Sequence, residues 1–386
     1  MQNKNFKGFV DETIRDGLQC LTCLNVEYET KIKAIQHMCK IPSITDVIVG
    51  MIGVSKKNDQ EIKNIVIECE KKHIKPWVLC RLNIYEVEKI RKLQNFNKNV
   101  GINLFIATSD IRISAESWTS DDILNKIKCF LEMITKYNLS IRFAIEDAMR
   151  TNIQYLSQVL DILLAYDIER ITICDTVGSA DKEEVREVFR MIKCKRKQYR
   201  NSKTLFEWHG HNDRGLGITN SIEAIENGVN YVHGTMIGLG ERAGNAALDI
   251  MIANVIYNGK ITDELTEYYL FCRNNFNNTE EDRYPFWGNL CKKTSTGTHC
   301  AAIIKAYYSE KFNLMPKIFP INEKVDIIQN FVVSPLSGRN LIKFIFDYNN
   351  IVYDDMLIDN ILNYIKETNS VMSCEELIDM YKGVSD

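Results

Sequence analysis

Apolar runs of strand length recur eight times in the first 233 residues, each followed by a segment of helical period, and this alternation constrains the fold more than any other feature. The runs are Gly8–Val10, Asp46–Val49, Pro76–Cys80, Gly101–Ala107, Ile141–Ile145, Ile171–Cys174, Leu205–Trp208 and Tyr231–His233. Between and after them, Glu29–Cys39, Gln60–Lys71, Ile84–Leu93, Asp121–Tyr137, Ile153–Ala165, Lys182–Lys195, Ile218–Glu226 and Asn245–Ile256 repeat apolar residues at helical spacing. Strands alternating with helices call for a parallel sheet covered on its faces by the helices. Eight such units fit a closed (β/α)8 barrel, a TIM barrel, better than an open sheet, which more often ends at five or six strands.

In such a barrel the chemistry lies at the carboxyl ends of the strands. The charged candidates fall there: Arg15 and Asp16 after strand one, Glu146 at the end of strand five, Asp175 and Thr176 after strand six. His209 and His211 follow strand seven, two imidazoles at i and i+2 that share a face if the strand runs into them. A carboxylate from one strand end and two histidines from another make a facial ligand set with vacant positions for one divalent ion. The bland alternatives are a helix cap at Asp16, hydrogen-bonded loop histidines, and a salt bridge at Glu146. Glu146 and Asp147 are adjacent and point apart, so only one can face the barrel mouth. His233, inside strand eight, reads as a satisfied core residue.

The chain has 386 residues, of which 45% are hydrophobic, enough for a large core. Its 48 basic and 51 acidic residues nearly balance, and no basic stripe with interleaved aromatics marks a nucleic-acid partner. No apolar run is long enough to span a bilayer, and the first residues lack the apolar core of a signal peptide. The twelve cysteines are scattered, so the expectation is a cytoplasmic protein with reduced thiols. Cys20 and Cys23 have C-x-x-C spacing but no second pair nearby. After about Gly259 the character changes: a polar connector, Asn274–Arg283, then Thr294–His299 leading into an apolar helix, then a tail with two amphipathic helices. The expected division is a barrel over 1–270, a linker and lid over 271–330, and a small, mainly helical C-terminal subdomain over 331–386.

Four motifs in order now carry a resemblance: Asp11–Gln19 (like D-x-T-L-R-D-G-x-Q), Glu207–Asp213 (like E-x-H-x-H-N-D), Gly238–Asn245 (GLGERAGN), and Thr296–His299 (like S-G-x-H). The chain resembles the metal-dependent Claisen synthases of the homocitrate, 2-isopropylmalate and citramalate synthase family, whose barrel is shared with hydroxymethylglutaryl-CoA lyase. The resemblance implies condensation of an acyl-CoA, usually acetyl-CoA, with a 2-oxo acid and release of CoA. It implies that Asp16, His209, His211 and Asn245 hold a divalent ion, which magnesium, manganese or zinc would satisfy. By the same resemblance Arg15 faces the developing oxyanion, Thr176 binds the oxo-acid carboxylate, and Gln19 shapes its pocket. His299, on a lid that crosses to the partner barrel of a homodimer, helps deprotonate the acetyl methyl, and Glu146 assists. Arg112 stands where many members carry histidine or glutamine, and a second cation there would suit an oxo acid with a second acidic group. The rival readings are a hydroxyacyl-CoA lyase of the same barrel and a non-catalytic barrel that binds a metabolite. The lyases place a cysteine in the loop after strand eight, and Gly238–Gly244 has none.

Overall fold

A computed structural model describes residues 5–20, 26–276, 283–318, 323 and 325–382. Cys23 and residues 277–282 of the expected connector lie outside the described residues. Eight parallel strands close into a barrel in sequence order, the TIM barrel read from the alternation. They are β1 (Gly8–Asp11), β2 (Ile44–Met51), β3 (Lys75–Cys80), β4 (Gly101–Ala107), β5 (Ser140–Glu146), β6 (Arg170–Asp175), β7 (Leu205–Gly210) and β8 (Tyr231–Gly234). β1 pairs with both β2 and β8, which closes the ring. Parallel strands buried on both faces read as nearly continuous apolar runs, and β6 is buried at every position.

The helices are α1 (Tyr28–Met38), α2 (Lys56–Lys72), α3 (Ile84–Leu93), α4 (Asp110–Ala115), α5 (Ser120–Ile134), α6 (Ile153–Ala165), α7 (Lys182–Gln198), α8 (Gly217–Glu226), α9 (Leu248–Val255) and α10 (Asp263–Phe276). Their starts are written in side chains. Thr119 and Asp122 form a reciprocal capping box at α5, and Asp181 and Glu184 another at α7. α4 was not expected: its six residues are too short for a periodic signal, and only the Ser109 cap announces it. α9 begins three residues later than expected. Asn245 and Ala247 are held extended by bridges to His211 and Thr235, so the chain cannot coil until Leu248.

The barrel interior beneath the strand ends is charged rather than apolar. Asp46, Arg142, Arg170 and Glu207 are all buried there. Glu207 takes Arg142 at 2.7 Å, Arg170 at 2.8 Å and the Thr172 hydroxyl at 2.8 Å, while Asp46 takes Arg170 at 2.9 Å and the Trp77 indole N–H at 2.8 Å. Each guanidinium also lies over an aromatic ring, Arg142 4.1 Å from the Trp77 centroid and Arg170 3.9 Å from that of Tyr231. Gly101 stands beside Trp77 in the register of β3 and β4, and any side chain there would run into the indole.

Residues Thr279–Asp386 form a second compact unit. Its helices are α11 (Gly297–Tyr308), α12 (Met315–Ile318), α13 (Arg339–Tyr348), α14 (Asp355–Thr368) and α15 (Cys374–Lys382), with a short antiparallel pair, β9 (Val332–Val333) and β10 (Met372–Ser373). Among the described residues the tail therefore carries three helices where two were expected. Cys300, Ile303, Phe331, Leu341, Phe344, Ile358, Ile365 and Leu377 pack in one core. α11, expected with the lid, thus shares its core with the helices after 331, because its apolar face packs on α13. Among the described residues no helix is long and apolar enough to cross a membrane.

Candidate active site

β7 ends in Glu207, Trp208, His209 and Gly210, His211 follows it directly, and the two-residue period of a strand sends the three odd-numbered side chains inward. β1 ends at Asp11, after which Glu12 turns the chain sharply. Its carbonyl accepts from the backbone N–H groups of Arg15 (3.0 Å), Asp16 (2.8 Å) and Gly17 (3.1 Å). That turn aims Asp16 at the histidines. Its Oδ2 lies 3.6 Å from Nε2 of His209 and 3.6 Å from Nε2 of His211, and the two Nε2 atoms are 3.3 Å apart.

These atoms suit a divalent ion. Asp16 Oδ2 and Asn245 Oδ1 are buried without a hydrogen-bond partner, although buried oxygens are otherwise satisfied almost everywhere in folded proteins. Asp16, His209 and His211 can each offer one atom within 4.8 Å of the others. Burial, the largest influence, pushes both imidazoles down to about 4, so at neutral pH each keeps a lone pair to give. Burial works to raise Asp16, but Arg15 and the two histidines outweigh it and hold the carboxyl at about 2. Asn245 reaches this place because it is extended and paired with His211. The loop before it folds back on itself at Gly244, at φ +83°, where a side chain would collide with the Gly238 carbonyl. Its glycines therefore serve the loop's own turn.

The site opens into a cavity of about 290 Å3 at the barrel mouth. Arg15, Gln19, Glu146, Thr176, His209 and His211 all line it. Arg15 lies on Glu12 and 2.8 Å from Asp16 Oδ1. The Thr176 hydroxyl accepts from the Asp147 N–H at 2.8 Å. Glu146 faces the cavity, and burial, its largest influence, raises its pKa despite Arg112. Its neighbour Asp147 turns away, buried under the Ser109 hydroxyl and Arg150. The sequence reading set Arg112 against the oxo acid. In the structure it pairs with Glu146 and Glu116 and lines a neighbouring cavity of about 420 Å3, because α4 carries it outside the ring of strands. His299, expected in a loop, occupies the first turn of α11 in the C-terminal unit.

Three buried residues of the site drew no role from the sequence. Glu12 lies between His209 and His233, Asn103 lines the cavity with an unpartnered carbonyl oxygen, and Glu207 supports the site from below. For Glu207 a signal was present, since it continues the inward period of His209 and His211. Asp11 lies just outside this group, bonded to the Thr13 N–H (2.7 Å) and the Tyr268 hydroxyl (2.9 Å). Burial lifts its pKa from 3.8 to about 6. The folded chain therefore holds this proton more tightly than the unfolded one. The resulting stabilisation is complete below about pH 4 and is lost as pH rises through about 6. Asp11→Asn, which keeps the hydrogen bond to Thr13 and cannot ionise, is expected to flatten the fall in melting temperature between about pH 4 and 6.5. By the energy of one pKa unit it should leave the chain about 2–3 kcal/mol more stable at pH 7. Identical pH profiles for the two proteins would refute this account of Asp11.

Residues 7–272 match the family model described as HMGL-like. The chain is similar to a 2-isopropylmalate synthase of Ruminiclostridium cellulolyticum, 30% identical over 247 residues that make up 64% of this chain and 47% of that protein. It is similar to a homocitrate synthase of Sulfolobus acidocaldarius, 27% identical over 70% of this chain and 56% of that protein. The chain thus spans about half the length of the curated relatives it matches. Among solved structures, the HMG-CoA lyase of Brucella melitensis superposes with a TM-score of 0.58 at 17% identity, covering 70% of this chain and 99% of that one, a likeness of fold.

Proposed function

Since the chain belongs to the HMGL-like family, we propose that it condenses an acyl-CoA, acetyl-CoA in the simplest case, with a 2-oxo acid in a reaction that depends on a divalent ion. The observation that carries this reading is the convergence of Asp16, His209 and His211, beside the orphaned oxygen of Asn245, on the wall of a cavity that also holds Arg15. Relatives named 2-isopropylmalate synthase and homocitrate synthase support it. The absence of cysteine from Gly238–Gly244 favours synthesis over the lyase direction.

In the proposed reaction the acetyl methyl loses a proton, and its carbon forms a bond to the keto carbon. Hydrolysis of the thioester then releases CoA. A divalent ion at these atoms would supply a Lewis acid and a template for a chelating oxo acid. Arg15 places a fixed cation where the keto oxygen becomes an oxyanion, the kind of preorganised charge that contributes most to such steps. Thr176 orients the oxo-acid carboxylate and Gln19 shapes its pocket. Glu146, raised by burial toward the working range of a general base, takes the methyl proton together with His299. The proposal includes a homodimer in which the C-terminal unit acts as a lid on the partner barrel.

The test is CoA release from acetyl-CoA with pyruvate, 2-oxoisovalerate, 2-oxoglutarate or oxaloacetate, each with magnesium, manganese or zinc. Chromatographic detection avoids the twelve protein thiols. One oxo acid is expected to give release that a chelator stops and added ion restores. Silence across the whole panel would sink the proposal.

A further inference from the structure

Glu12 is 2% exposed and carries more contacts than a turn residue needs. Its Oε1 lies 3.1 Å from Nδ1 of His209 and 2.6 Å from Nδ1 of His233, and its Oε2 meets Arg15. The far side of His233 lies 3.1 Å from Oε2 of Glu207, itself fixed by Arg142, Arg170 and Thr172. A line of polar contacts thus runs from the charged barrel interior, through His233 and Glu12, to the back of His209.

A neutral imidazole has one N–H and one lone pair, and a partner on one nitrogen decides which atom carries which. A carboxylate facing Nδ1 keeps the proton there. Nε2, the atom that faces Asp16 and His211, is then left with the lone pair. His211 has no such support, since its Nδ1 is buried without a partner among the described residues. Glu12, His209 and His233 could themselves be taken for a cation site. There Glu12 already has a hydrogen-bond partner in His233 at 2.6 Å, whereas Asp16 Oδ2 and Asn245 Oδ1 wait for a partner.

We propose that Glu12 is a positioning residue for the cation site: it locks His209 in the tautomer whose Nε2 lone pair faces Asp16 and His211, and His233 holds Glu12 in place by tying it to Glu207. The inference rests on the reading of Asp16, His209 and His211 as ligands and adds the group that orients one of them. Outer carboxylates of this kind raise ligand basicity, and their removal typically weakens the ion by about 10–100-fold.

Two measurements on the whole chain test it. Long-range proton–nitrogen NMR of the metal-free protein reads the His209 tautomer directly, and the proton is expected on Nδ1. A His209 proton on Nε2 in the wild-type chain overturns the inference whatever the variants do. Manganese titration followed by electron paramagnetic resonance is expected to give a Kd about 10–100-fold weaker for Glu12→Gln and intermediate for Glu12→Asp, whose shorter carboxylate still bears the charge. A Kd for folded Glu12→Gln within twofold of wild type also overturns it. If instead wild type binds no manganese, or His209→Ala binds it equally well, the cation site itself has failed and the inference falls with it.

Discussion

His209→Ala is expected to remove divalent-ion binding and to lower turnover by at least about a thousandfold. The chain offers three converging donor atoms, and His209 supplies one of them, with Nε2 within 3.6 Å of the Asp16 carboxylate and 3.3 Å of the other imidazole. Two ligands and a weak amide oxygen would remain, fewer strong donors than the three protein ligands of an open catalytic site. Lewis-acid stabilisation of a developing oxyanion contributes several kcal/mol, and each 1.36 kcal/mol is about tenfold in rate. The loss should fall on kcat, because the oxyanion charge exists only in the transition state, and KM for the oxo acid should rise as well, because its chelating template is gone. Isothermal titration with manganese and steady-state CoA release check both halves. Turnover within tenfold of wild type would show that the chemistry does not run through this atom.

Glu207→Gln is expected to lower the folding free energy by about 3–5 kcal/mol, the usual consequence of removing one partner from a buried ion pair. Burial alone would raise the pKa of Glu207. The two guanidiniums and His233 prevail and hold it ionised well below the usual carboxylate range. The amide keeps the shape and loses the charge, so Arg142, with no exposed side-chain surface, is left without its counter-ion. Arg170 keeps Asp46 and suffers less. Chemical denaturation should show an earlier midpoint with an unchanged slope. An unchanged midpoint would mean that water or Asp46 neutralises Arg142 in the barrel. His233 loses a partner in the same variant, so weaker ion binding should accompany the lower stability.

The barrel was legible because buried parallel strands have a one-dimensional signature, and β4, α3 and α6 fall on the very residues that pattern and period indicate. What period does not carry was lost. α4 is a turn and a half of helix, and the extended stretch Asn245–Ala247 exists only because His211 and Thr235 lie alongside it. The site divides the same way. The strand-end rule brings Arg15, Glu146, Thr176, His209 and His211 to one mouth. The place of Glu12 depends on a histidine 221 positions away. Arg112, which the resemblance set near the oxo acid, is carried by the unforeseen helix to a neighbouring cavity, where it pairs with Glu146.

The proposed cation site lies at the join between the first and the last strand of the ring. Glu12 and Thr13 on one side bond His233 and Met236 on the other, and the backbone of Glu12 bonds Gly234. A closed ring of strands has a single place where its two ends must find each other across more than two hundred residues, and such distant pairing is slow to form. Whatever binds at this join binds only the closed form, so its affinity adds directly to the resistance of the ring to opening. On the proposed function the reaction centre is thereby also the clasp of the barrel, and saturation with ion or substrate should be felt first as a tighter hold between β1 and β8.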